Sequence, residues 1–148
     1  MNPSGREIMA ETEFAISISS NTSEGHEVQQ RILSTLESLH YSSKDLFGVK
    51  LALEEAIVNA IKHGNGLDPD KQVHIHCEAD RHSLKVTIED EGEGFDPEDV
   101  PDPTDDENLE KPSGRGVMLM RAFMTSVEYN DRGNRVRLVK ERSEPDDE

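Results

Sequence analysis

Apolar and small polar residues alternate over residues 14–19, with Phe14, Ile16 and Ile18 on one side and Ala15, Ser17 and Ser19 on the other. That is the period of a half-buried strand. The period then changes: from about residue 24 to 40, Val28, Ile32, Leu36 and Leu39 recur at helical spacing, Leu33 widens the stripe, and Asn21-Thr22-Ser23 stands before it as a start signal. An amphipathic helix is predicted. Ser42 and Ser43 can cap a second helix running to about residue 63, with Leu46, Phe47, Leu53, Ile57, Ala60 and Ile61 for its buried side and Gly64, Asn65 and Gly66 to stop it. Two more alternating runs, 72–79 and 83–89, are joined by Asp80-Arg81-His82 and predict an antiparallel hairpin. A helical pattern returns over 116–125, and Val127-Glu128-Tyr129 with Val136-Arg137-Leu138-Val139 predicts a closing hairpin through Asp131-Arg132-Gly133-Asn134. Residues 96–113, acidic, proline-containing and aperiodic, read as a long mobile loop. Residues 1–12 read as a flexible N-terminus and 141–148 as an acidic disordered tail, leaving one domain over 13–140.

Strands interleaved with helices at the front and back of the chain predict an α+β fold, a two-layer sandwich with a mixed, mainly antiparallel sheet covered by helices on one face. At 148 residues there is one core and no room for a second catalytic domain. A net charge of -16, without a local basic patch, argues against nucleic acid or an anionic membrane as partner. Cys77, the lone cysteine, excludes an internal disulfide, and its place in Val73-His74-Ile75-His76-Cys77 predicts an inert core thiol. Neither a signal-peptide run nor a membrane-spanning stretch is found, so a cytoplasmic protein is expected.

Three short constellations carry chemistry. On the second helix, four residues advance the chain by roughly 400°, so Glu55, Asn59 and His63 share a face. A carboxylate beside an uncharged amide can accept a proton and ligate a hard cation, and the same spacing also suits a solvated helix face. At the end of the third predicted strand, Asp90-Glu91-Gly92-Glu93-Gly94 offers an acceptor beside glycines that permit close approach to a flat ligand. An ordinary strand-ending turn would read the same way. Finally, Ser113-Gly114-Arg115-Gly116-Val117-Met118 sets glycines before a helix, a site for phosphate oxygens or a simple hinge.

Taken in order, the three resemble the N box and two glycine boxes of the GHKL superfamily of ATP-binding domains. Leu53-Glu54-Glu55-Ala56-Ile57-Val58-Asn59-Ala60-Ile61-Lys62-His63-Gly64 and the short length resemble in particular the bacterial anti-sigma-factor serine/threonine kinases, over residues 14–140. The resemblance implies a Bergerat-type fold that binds ATP and Mg²⁺. It makes Glu55 the general base, Asn59 the Mg²⁺ ligand and Asp90 the adenine acceptor. His63, Gly92 and Gly94 would line the base pocket, and Gly114, Arg115, Gly116, Val117 and Met118 the phosphate end. It further implies phosphorylation of a small anti-anti-sigma antagonist protein, binding of a sigma factor, and a homodimer. A nucleotide-controlled module that sequesters a sigma factor or other regulator without catalysis, and a detached histidine-kinase ATPase module, are the alternatives.

Two departures from the family pattern stand out. Where relatives often carry Gly-Thr before the last strand, this chain has Gly133-Asn134, and its lid region holds Asp102, Asp105, Asp106, Glu107 and Glu110 where polyphosphate would sit. Outside the boxes, His74 and His76 face one side of a strand at a spacing that can support zinc, but no third or fourth ligand is apparent. Met118, Met120 and Met124 read as packing residues.

Overall fold

The structure is a computed structural model and describes residues 12–93 and 114–143; of Gly114 and Arg115 it describes the backbone alone. Along the chain run β1 (Thr12–Ser19), α1 (Thr22–Ser38), α2 (Ser43–Val58), β2 (Gln72–Ala79), β3 (Ser83–Glu89), α3 (Gly114–Phe123), β4 (Ser126–Tyr129) and β5 (Arg135–Glu141). The five strands form one sheet in the order β1-β2-β3-β5-β4, and each neighbouring pair is antiparallel. The expected α+β layering is present: Ile18, Val73, Ile75, Leu84, Val86, Ile88 and Leu138 pack from the sheet against Ile32 and Leu36 of α1 and Val49, Leu53 and Ile57 of α2. Cys77 is fully buried there, and burial pushes its thiol up to about 12. No helix among the described residues is long and apolar enough to cross a membrane.

Local signals set the helix starts. Asn21 accepts from the amides of Ser23 and Glu24 at 2.8 and 3.2 Å, and Ser42, rather than Ser43, caps α2 through the amide of Asp45 at 3.1 Å. The first helix ends two residues short of its predicted limit because His40 takes a left-handed turn at φ 66°. The second does reach the predicted region, but not as an α-helix throughout. Beyond Val58 it widens into a π-helical turn, Asn59–Gly64, in which the Asn65 amide reaches back five residues to the Ala60 carbonyl at 2.9 Å.

Both chain ends differ from expectation. β1 begins at Thr12, which pairs with Ala79, so the flexible N-terminus cannot extend to residue 12. Residues 141–143 are part of the fold: β5 includes Glu141, and the Ser143 amide and hydroxyl donate to the two carboxylate oxygens of buried Asp45 at 2.9 and 2.6 Å. Charge counting assigned these residues to a tail because it could not foresee an acceptor 98 positions away. Residues 144–148, the loop expected over 96–113, and Gly94 lie outside the described residues.

Candidate functional site

Between the helix layer and the β3–β5 end of the sheet lies an open cleft lined by Ala56, Asn59, Ala60, His63 and Gly64 from α2 and its π turn, Ile88 and Asp90 at the end of β3, and Tyr129, Gly133, Asn134, Arg135 and Val136 from the last hairpin. Apolar walls with a few convergent polar groups suit a small ligand with a flat ring. Asp90 is its chemical centre. One carboxylate oxygen accepts from the Gly92 amide at 2.9 Å, while the other accepts nothing from the described residues. Burial raises the Asp90 pKa, outweighing the hydrogen bond from Gly92 that lowers it. Gly64 lies against this carboxylate, and Gly92 lies against the Gly64 carbonyl. A Cβ at either position would overlap its neighbour, so both must be glycine.

Several contacts hold the Asp90 loop in place. Arg132 donates to the Gly92 carbonyl at 3.0 Å, and the Glu91 amide donates to Asn65 Oδ1 at 2.8 Å. The Glu91 carboxylate is bonded to His74 at 2.8 Å and to the Gln72 amide at 3.1 Å, which together hold it below the usual carboxylate range. His74 also bonds Ser17 at 2.7 Å, and His76 bonds Glu13 at 2.9 Å. Each histidine is thus engaged with its own carboxylate, and no group of three or more metal-ligating His, Cys, Asp or Glu residues occurs among the described residues.

At the other end of the cleft the first turn of α3 faces α2. A Cβ on Gly116 would lie 2.5 Å from Glu55 Oε1 and 3.6 Å from Asn59 Nδ2, so the missing side chain is what lets the α3 backbone approach both. Asn59 Nδ2 is buried without a hydrogen-bond partner among the described residues. Such an orphan is costly unless a ligand completes it, and rotating the amide would put its oxygen, a hard-cation donor, in the same place. A helix start, a carboxylate and an unsatisfied amide therefore meet in one corner.

Of the residues singled out from sequence, Asn59, His63 and Asp90 line the cleft, Gly92 supports it, and Glu55 and Gly116 meet at its edge. Gly114 and Arg115 begin α3. Val117 is buried in the core, Met118 is 64% exposed, and neither is among the residues that line the cleft. Sequence reasoning missed Tyr129, Arg132 and the role of Gly64, which was read only as a helix stop. Burial pushes the Tyr129 hydroxyl up to about 12. The signal for Gly64 was present in principle, since a glycine at a helix end serves close approach as well as termination.

Comparison with known proteins agrees with this fold. Residues 18–140 match the model of the histidine kinase-like ATPase domain. The chain is 31% identical to an anti-sigma F factor of Oceanobacillus iheyensis over 118 residues, covering 76% of this chain and 80% of the relative. It is 34% identical to an anti-sigma F factor of Clostridium perfringens over 103 residues, covering 66% and 73%. Among solved structures, one containing the RsbU and RsbW domains of a Mycobacterium tuberculosis protein has a similar fold, with a TM-score of 0.59 at 12% identity over 88% of this chain and 32% of that one.

Proposed function

Because the chain belongs to the histidine kinase-like ATPase domain family, within its anti-sigma-factor branch, we propose that it is an ATP-dependent serine/threonine kinase that phosphorylates a small antagonist protein and also binds a sigma factor. The observation that carries this reading is the corner where Glu55, the buried Asn59 amide and the first turn of α3 meet. Asp90 accepts a hydrogen bond from the amine of adenine, and the walls of Ala56, Ala60, Ile88 and Val136 exclude water from the ring. The amides of α3 from Gly114 to Gly116 receive phosphate oxygens. Asn59 would hold Mg²⁺, whose chemistry when bound is to neutralise charge on the phosphates. Glu55 takes the proton from the incoming serine or threonine hydroxyl as its oxygen bonds to the γ-phosphorus and the bond to the bridging oxygen of ADP breaks. A homodimer acting in the cytoplasm is part of the proposal.

Incubating the protein with co-purifying antagonist and ATP·Mg²⁺ labelled at the γ-phosphate tests it. Label should move to a serine or threonine, and Glu55→Ala should slow transfer by about 10²- to 10⁴-fold while ADP affinity stays within a few-fold of wild type. Complex formation without phosphoprotein would favour the non-catalytic binding module, and an acid-labile product the histidine-kinase module.

A further inference from the structure

Asp90 stands one residue beyond β3, where a strand end would ordinarily fray, yet both of its peptide groups are held by one residue. Its amide donates to the Asn134 carbonyl at 2.9 Å, and its carbonyl accepts from Asn134 Nδ2 at 3.1 Å. Asn134 is itself locked. Its Oδ1 accepts from Asn130 Nδ2 at 2.8 Å, and Asn130 Oδ1 accepts in turn from the amides of Asn134 and Arg135, each at 3.1 Å. Asn134 is 6% exposed and Asp90 8%, so this chain of amides runs inside the cleft wall. A hydroxyl side chain at position 134 has a single proton and a short reach. The amide donates to Asp90 and accepts from Asn130 at the same time, which leaves its orientation no slack.

Resting on the nucleotide site proposed above, we propose that Asn134, braced by Asn130, is a specificity-determining positioning residue. It holds Asp90 so that the cleft selects a purine carrying an exocyclic amine and rejects one carrying a carbonyl there. The physical basis is the second carboxylate oxygen of Asp90, set against Gly64 on a backbone held at both its amide and its carbonyl. Facing an N–H it makes a charge-assisted hydrogen bond; facing a carbonyl it meets a second acceptor, and neither group can turn to water. Relaxing the backbone of Asp90 lets the carboxylate move away from either partner, so the first is weakened and the second relieved.

Calorimetric titration with ADP and with inosine diphosphate, which has a carbonyl in place of the amine, reads this directly. Wild type should bind ADP more tightly. Asn134→Ala should weaken ADP by about ten-fold and leave inosine diphosphate unchanged or stronger, so that the ratio of affinities falls. Asn130→Ala should lower the ratio in the same direction by less, and it carries the test if Asn134→Ala does not fold. A ratio unchanged in both variants, or both ligands weakened equally, overturns the proposal, since loss of structure alone does not discriminate between bases. Binding of neither diphosphate to wild type overturns it together with the cleft assignment. Because the readout needs no phosphoryl transfer, a protein that binds both diphosphates as predicted but transfers no phosphate refutes the kinase reading alone.

Discussion

Two demands on Asp90 oppose each other. Its buried carboxylate is the acceptor that the proposed nucleotide site needs, and burial is what raises its pKa. A carboxyl whose folded pKa lies above its unfolded value favours folding fully below the unfolded pKa, and that contribution is lost as pH rises through the folded pKa. At neutral pH the ligand-free protein therefore carries a destabilising charge. Asp90→Asn should raise the unfolding midpoint at pH 7, with the amide oxygen still accepting from Gly92, and the gain should shrink toward about pH 4. Thermal unfolding of both proteins at the two pH values checks this, and ADP binding should be lost in the same variant. An acceptor at a strand end beside glycines could be read from Asp90-Glu91-Gly92. That Asn134 would grip its backbone could not, because the two residues are 44 positions apart and only the strand register Glu89↔Arg135 brings them together.

Among the elements, local pattern placed the strands and helices well, since periodicity and capping act over a few residues. The hairpin strands at 72–79 and 83–89 and the caps near Asn21 and Ser42 follow from neighbours alone. Two features lay beyond its reach. One is the π turn, since the hydrophobic spacing of Ile57, Ala60 and Ile61 fits an α-helix equally well. The other is the clasp after β5. There Arg142 donates to the carbonyls of Leu39, His40 and Arg81, while Ser143 and Lys140 meet Asp45, joining the last strand to the start of α2. Burial alone would raise the Asp45 pKa, but the two hydrogen bonds from Ser143 and the nearby Lys140 ammonium outweigh it and hold the carboxyl below its usual value. Such a group stabilises the fold above its unfolded pKa and loses that contribution as pH falls through the lowered one. Ser143→Ala should cost about 1–3 kcal/mol in urea unfolding at pH 7, and the difference from wild type should close on acidification.

For the whole molecule, the cleft joins residues from the helix layer, the end of β3 and the last hairpin, so a ligand that bridges them should stabilise the domain as one unit. ADP at about 100 times its Kd should add about 2.7 kcal/mol to the unfolding free energy, and Asp90→Ala should abolish that increment. A scan of midpoint against ADP concentration measures it. The three boxes, their order and the alternation of strand and helix were determined by sequence alone, because each rests on contacts within a turn, a hairpin or a helix face. Only the tertiary structure decided that Gly64 would lie against Asp90, that Gly116 would open a space for Glu55 and Asn59, and that Ser143 would close on Asp45. Those meetings depend on where the antiparallel sheet and the layer above it carry distant segments, and no short-range pattern encodes that distance.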